Sequence, residues 1–395
     1  MHNIEKVIQD NMCSGCGLCV KTEKEMCISD SGFLRPLIPI NDVLSARSCP
    51  GSAVDHHNGE APYDVLWGPI FSSNVGYATN EEIRNSGSSG GVISALLDFL
   101  ITSATVDAVI HTGASDQDPI RNKTYISTTP GEILRNAGSR YAPSSPLSVI
   151  RSLIGNKKKY AVVGKPCDIA AMRSLTSSDI ELKTQFPYLI SFMCAGVPSE
   201  EGTLRVLKKL GIKDRRTVSL FRYRGDGWPG LTKAITSSNE EHTMTYNESW
   251  GTILNRHLQA RCKLCADGIG EAADIVCADA WHESENGYPS FEEAEGRSLI
   301  LSRTSAGANL LNQAIQAKVI ATEKFETSKI SEIQPYQSNR KKTALARKLA
   351  INLTGSITPK YDKKYRLITA ASQSNVTDLI KAFAGTFRRK LKKTL

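Results

Sequence analysis

From about residue 65 the chain alternates short apolar runs with segments of helical spacing. "NVGYAT" reads as a short strand, "RNSGSSGG" as a loop, "VISALLDFLI" as a helix and "VDAVIHTGA" as a strand. "KKYAVVGKPC" is a strand that enters a turn, and the helical "DIAAMRSL" follows. "FPYLISFMC" is another strand. "VPSEEGTLRVLKKLG" is a helix with Pro198 early and Gly211 at its end, the placement that helix ends favour. "ADIVCADAW" and "RSLILSRT" read as buried strands. Strands that alternate with helices predict an α/β layer with mostly parallel strands. Residues 1 to about 60 lack this rhythm and read as cysteine-rich loops. At the other end, "NVTDLIKAFAGTFRRKLKKTL" sets Val376, Leu379, Ile380, Phe383, Phe387 and Leu391 at helical spacing, opposite Lys and Arg.

The 395 residues, 40% hydrophobic, suffice for one large or two medium domains. No apolar run reaches the length of a membrane span, about 18 residues. "MHNIEKVIQDN" has no hydrophobic stretch of a secretory signal, so the expected location is cytoplasmic. Ten cysteines in a reducing compartment are candidates for metal or redox work before disulfides.

The net charge of +9 is not uniform: from Arg340 onward there are 15 Lys and Arg against 2 Asp. The rest of the chain, with 34 basic and 38 acidic groups, is slightly acidic. That balance argues against a nucleic-acid partner, and no module that interleaves aromatic and basic residues occurs. The basic, amphipathic end could instead lie on an anionic membrane surface or an acidic partner, or simply be solvated.

"CSGCGLCV" places Cys13, Cys16 and Cys19 two residues apart. Thiolates at this spacing wrap one face of an iron–sulfur cubane, with Gly15 and Gly17 letting the backbone fold closely. The run is one ligand short. In ferredoxins the fourth ligand comes from a distant Cys-Pro, which here is Cys49-Pro50. Cys27 is the rival, and structural zinc or spare thiols are the alternatives to a cluster.

Cys262 and Cys265 form a second C-x2-C. Cys167 and Cys194 each follow an expected strand and precede a helix. In an open α/β sheet such positions converge on one crevice, so these four thiols could hold a second cubane. Cys277 lies in an apolar strand and reads as simply buried.

The "SGSSGG" loop (Gly87, Ser88, Ser89, Gly90, Gly91) opens a helix and could seat a phosphate or a flavin edge. "NAGSRYAPS" adds Ser139, Arg140 and Tyr141, a cation and a ring. Both segments could equally be ordinary turns. Lys165, Arg140, Asp168 and His111 fall near these loops and are the catalytic candidates, each with a structural role as its alternative. No general acid is identified.

"GSSGGV", "GSRYAPS", "VVGKPCDIAAMR", "FMCAGVPS", "YRGDGWPG", "RCKLCADGIGEAADI" and "GRSLILSRT" occur in that order. Together they resemble the beta subunit of coenzyme F420-reducing hydrogenase and F420-dependent dehydrogenases, over roughly residues 10 to 320. Relatives include plant 7-hydroxymethyl chlorophyll a reductase and bacterial homologues, some tied to polysaccharide synthesis. The resemblance implies a flavin-dependent iron–sulfur oxidoreductase with non-covalent FAD at Gly87–Gly91 and Ser139–Tyr141, and a cluster on Cys167, Cys194, Cys262 and Cys265. The chain departs from the family's usual pattern at Lys165 (often Thr), Arg140 (often Lys) and Ala278 (often Gly).

The resulting expectation is an α/β (mixed α+β) fold in three parts. Residues 1–62 form a ferredoxin-like iron–sulfur segment, 63–335 the FAD and iron–sulfur core, and 336–395 a basic tail with an amphipathic helix. Two 4Fe-4S clusters would pass electrons to or from FAD, which exchanges a hydride with a small substrate or a deazaflavin carrier. The redox partner would be a ferredoxin or a deazaflavin, and a homo-oligomer is compatible with the sequence. The alternative is an electron-transfer subunit that serves a partner enzyme and has no substrate of its own.

Overall fold

The computed structural model describes residues 2–57, 59–282 and 289–392. One mixed sheet of eight strands organises the chain. In chain order these are β1 (Ser72–Ala78), β2 (Ala108–Ala114), β3 (Asn122–Ser127), β4 (Tyr160–Gly164), β5 (Tyr188–Phe192), β6 (Ile275–Asp279), β7 (Ser298–Ser302) and β8 (Ile320–Lys324). Their order across the sheet is β8-β1-β7-β6-β5-β4-β2-β3. The four strands β6, β5, β4 and β2 are parallel. The flanking pairs are antiparallel.

The expectation of mostly parallel strands therefore holds only at the centre. An apolar run reveals burial but not direction; direction depends on the connection. A parallel return needs a crossover of a dozen or more residues, usually a helix. Between β6 and β7 no helix occurs among the described residues.

Alternate residues of the central strands feed two cores. On one face Ala161, Val163, Ile190, Ile275 and Cys277 pack with Leu96 and Leu100 of α1 (Val92–Thr102). On the other, Val162, Leu189 and Val276 pack with Ile169 and Met172 of α2 (Pro166–Thr176). Cys16 and Leu18 of the first cysteine segment belong to this second core.

The helix that follows β5 is α3 (Glu200–Lys209). It packs beside an antiparallel sheet of Val218–Arg222, Thr232–Thr236 and Glu241–Met244. The second C-x2-C rides on the short α4 (Ala260–Leu264), and α5 (Ser305–Gln316) precedes β8.

The basic end of the chain carries two long helices, α6 (Pro335–Asn352) and α7 (Val376–Leu391). Only α7 was expected. The polar spacing of α6 conceals that Arg340, Lys341, Thr343 and Ala344 are all buried. Its cations are tolerated inside because carbonyls and a carboxylate receive them: Lys341 Nζ lies 2.6 Å from Glu271 Oε1. No described helix is long and apolar enough to cross a membrane.

Candidate functional site

Strands β1, β4, β5 and β6 all end on the same side of the sheet, and a cavity of about 690 Å³ opens there. The segments that follow β1, β4 and β5 line it with Gly87, Ser88, Ser89, Gly91, Lys165 and Cys194, and the end of β6 adds Asp279.

Gly90 lies flat against the sheet. A Cβ there would come within 2.6 Å of the Gly76 carbonyl oxygen. Its N–H donates to Ser298 Oγ at 2.9 Å, and Ser89 Oγ donates to the Arg297 carbonyl at 2.9 Å. Gly91, at φ +70°, ends the loop and begins α1, which has no side-chain cap. The first-turn N–H groups of α1 and the positive end of its dipole thus stand at the cavity wall, where an anionic group gains most.

Arg224, which no sequence motif singles out as a site residue, locks this wall. Its guanidinium pairs with both oxygens of Asp279, at 2.9 and 3.0 Å. It also donates to the Ser88 carbonyl and to Tyr141 Oη, and it sits over the rings of Tyr246 and Trp281. Asp279 accepts a further bond from Trp228 Nε1 at 2.7 Å. One signal was available: Arg224 and Trp228 share the single stretch "YRGDGWPG".

The catalytic candidates are all engaged. Arg140 donates to Asn122 Oδ1 and to the carbonyls of Phe221, Pro119 and Arg121. It braces its loop through these four bonds, while the Ser139 N–H is held by Ser88 Oγ. Lys165 Nζ lies 2.7 Å from Asp168 Oδ2 and 2.8 Å from Ser144 Oγ. Burial lowers its pKa, but the Asp168 carboxylate more than offsets this and raises it above the ordinary lysine value. Asp168 Oδ1 is buried without a hydrogen-bond partner. His111 is held down to about 4 by burial, so its ring is neutral beside Ser127 Oγ at 2.7 Å.

The second cysteine set converges beside this cavity. Cys167 occupies the first turn of α2, and Cys194 follows β5, its N–H bonded to the Gly268 carbonyl at 2.8 Å. Cys262 and Cys265 lie on α4 and just past it. Gly196, at φ +132°, lets the Cys194 loop close on α4. Any Cβ there would sit 2.9 Å from Leu258 Cδ1 and 3.3 Å from Cys262 Cβ. Arg340 clasps the two segments, donating to the carbonyls of Cys194 and Cys262. Cys262 Sγ accepts from Val197 N–H and Gln259 Nε2, both at 3.4 Å.

In the first set, Gly15 and Gly17 both have positive φ, +75° and +88°. A Cβ on Gly17 would meet Ser148 at 2.9 Å, so the loop docks on the core only as glycine. Cys49 ends the helix Val43–Ser48. Burial pushes its thiol up to about 11, with Cys13 adding to the effect. Burial likewise pushes Cys19 up to about 12, with Cys13 and Cys49 next. Cys27 lies on the hairpin strand Met26–Ile28, opposite Arg35. The two sets adjoin: Arg261 of α4 donates to the Pro50 carbonyl at 2.6 Å, and Leu264 packs with Cys13 and Cys49.

The donor chemistry fits iron–sulfur clusters. Arg261 and Arg340 are 2% and 4% exposed, and neither forms an ion pair among the described residues. Lys348 is a third cation here, its pKa drawn down to about 8 by burial and by Arg261. Buried cations require a counter-charge, and the groups nearest in effect are thiols and phenols. Among the described residues no three His, Cys, Asp or Glu side chains are close enough to share a single metal ion. A cubane needs a wider ring of thiolates than one ion does, because its ligands bind different irons.

A mixed α/β sheet with a ligand-sized crevice at its strand ends and two cysteine sets alongside defines the class. The chain belongs to the coenzyme F420 hydrogenase/dehydrogenase beta subunit family: the N-terminal family model matches residues 74–151 and the C-terminal one 157–328. It is 25% identical over 276 residues to the coenzyme F420 hydrogenase subunit beta of Methanococcus voltae, covering 69% of this chain and 89% of that one. It is 25% identical over 275 residues to the F420-dependent formate dehydrogenase subunit beta of Methanocaldococcus jannaschii, covering 66% of each. The coenzyme F420-dependent sulfite reductase of the same organism is 23% identical over 341 residues, 82% of this chain and 49% of that protein. A chain of the F420-reducing nickel–iron hydrogenase complex from Methanosarcina barkeri shares the fold. Its TM-score is 0.56 at 18% identity, over 73% of this chain and 96% of that one. These relatives support a redox role.

Proposed function

We propose that the chain is an oxidoreductase subunit that binds FAD in the cavity and one 4Fe-4S cluster on each cysteine set. Electrons would pass between a one-electron partner, such as a ferredoxin, and a hydride carrier of the deazaflavin type or a small substrate. When bound, the clusters supply one-electron steps and the flavin supplies hydride transfer. The observation that carries this reading is the pair of buried arginines, Arg261 and Arg340, without carboxylate partners among the described residues, beside four cysteines and the cavity.

The chain's own residues have separate parts in it. Gly87, Ser88, Ser89, Gly90 and Gly91 would receive the anionic part of FAD, with α1 behind them. Arg224 and Asp279 hold that loop in place, and Ser139, Arg140 and Tyr141 brace the adjoining loop. Cys13, Cys16, Cys19 and Cys49 would ligate the first cluster, and Cys167, Cys194, Cys262 and Cys265 the second. Lys165 keeps a buried positive charge beside the second set. The functional division would follow residues 1–62, 63–335 and 336–395, in a cytoplasmic protein.

Anaerobic purification tests the proposal. The protein should be brown, with extractable FAD and several irons and sulfides per chain. A colourless protein with zinc alone would overturn it.

One observation favours a second reading, an electron-transfer subunit without a substrate of its own. Arg140, Lys165 and His111 are each committed to protein partners, which leaves none of them free for proton transfer. Turnover of the isolated chain with a deazaflavin decides between the two.

The outward face of α7 exposes Val376, Ile380 and Leu391 beside Lys381, Arg388 and Lys392. In this reading it rests on an anionic membrane surface at the cytoplasmic side.

A further inference from the structure

The two cysteine sets do not see the same buried charges. Arg261 stands between them. It is 2% exposed, and Nη2 donates to the Pro50 carbonyl at 2.6 Å, next to Cys49. The groups whose charge bears on it most are Cys167, Tyr361, Cys265 and Cys262. Its own charge is in turn felt at Cys49 in the first set. Its Nε is buried and has no hydrogen-bond partner. Asp168, whose carboxyl feels Arg261, is already paired with Lys165 at 2.7 Å.

Arg340 faces one set only. It is 4% exposed and donates to the carbonyls of Cys194 and Cys262. The charges that bear on it are those of Cys265, Tyr336, Cys262 and Cys194, and its Nε is also buried and unpartnered.

A cubane held by four thiolates is anionic in both oxidation states and gains one further negative charge on reduction. A fixed cation nearby stabilises the reduced form more than the oxidised one, and so raises the midpoint potential. In a buried, weakly screened site the effect is larger than at a surface. Hydrogen bonding and charge around the ligands are recognised levers on such potentials.

We infer that Arg261 is a shared counter-charge that raises the potential of both centres, while Arg340 raises that of the second centre alone. Arg340 thereby tilts electron distribution toward the set beside the cavity. Both are positioning residues. The hydrogen bond from Arg261 to Pro50 also fixes the distance between the segment carrying Cys49 and the helix carrying Cys262. The inference rests on the cluster assignment proposed above.

The experiment is an anaerobic redox titration of the full chain, followed by electron paramagnetic resonance, with iron and sulfide measured on every sample. Wild-type protein is compared with Arg340→Gln, Arg261→Gln, and the Arg340→Lys and Arg261→Lys variants. Arg340→Gln should lower one midpoint and leave the other where it was. Arg261→Gln should lower both, and both lysine variants should stay near wild type. Should a glutamine variant lose iron, its lysine counterpart should keep it, since the requirement is for charge. Loss of iron in both, unmoved midpoints in Arg261→Gln at full iron content, or equal shifts of both centres in Arg340→Gln would overturn the inference. A wild-type chain that holds no paramagnetic cluster after reconstitution with iron and sulfide would instead sink the cluster assignment itself.

Discussion

Arg224 and Asp279 form a two-pronged ion pair at 2.9 and 3.0 Å, and through it the strand end of β6 holds the carbonyl of Ser88. Arg224 is only 2% exposed. Removing Asp279 leaves a buried cation held by two carbonyls, a phenol and aromatic rings, with no carboxylate partner among the described residues. Asp279→Ala should therefore cost about 3–5 kcal/mol, read as a lower urea midpoint. Flavin retention should fall with it, because the Gly87–Gly91 loop loses its tether. A variant as stable as wild type would show that the pair is not what holds this wall.

The ligand choice in the first set is open to a direct count. Cys49→Ser should remove the iron of one cluster and leave flavin content intact. Cys27→Ser should change neither. If the two outcomes are exchanged, Cys27 is the fourth ligand and the proposed Cys-Pro pairing fails.

Stability should depend on pH through buried histidines. Burial lowers the pKa of His111 from 6.5 to about 4, with Glu132 opposing weakly. Between those values the unfolded chain binds a proton that the folded chain refuses, so stability rises with pH across that window and is lost as pH falls. From pH 7 to pH 5 the loss from this one group is about 2 kcal/mol. Burial gives His56 the same direction, also to about 4. Urea titrations at the two pH values should show the decline, and His111→Gln should remove its share. An unchanged slope in that variant would mean that His111 titrates normally.

Deletion of residues 375–395 addresses the outer helix. The full chain should sediment with vesicles rich in anionic lipid, less so at high salt, and the truncated chain should stay in solution. Equal sedimentation of both would assign the basic face of α7 to something other than a membrane.

Much of this was written in local patterns. The parallel strands of the centre are buried on both faces, so they appear as unbroken apolar runs, and "YAVVG" and "YLISF" announce themselves. The glycines of the tight turns were also legible, because at Gly15 and Gly17 the backbone takes positive φ and at Gly17 a Cβ would meet Ser148. Other features depended on partners far away in sequence. Arg340 looks like part of a solvated basic run until the carbonyls of Cys194 and Cys262 come to it. Arg140 looks like a free cation until four backbone and side-chain acceptors surround it. The direction of β7 rests on a connection with no helix among its described residues, which no apolar pattern encodes.

The first cysteine segment has a bearing on how the protein matures. Cys16 and Leu18 are built into the same core as Val162 and Ile169, and Leu147 N–H bonds the Cys16 carbonyl. In the cluster assignment proposed above, Cys16 would be both a ligand and a core side chain, and such a residue could not be loaded at leisure after the core has closed. Metal delivery and the last stage of folding should form a single step, so that chain made under iron starvation accumulates as a protease-sensitive form rather than as a finished shell awaiting its cofactor.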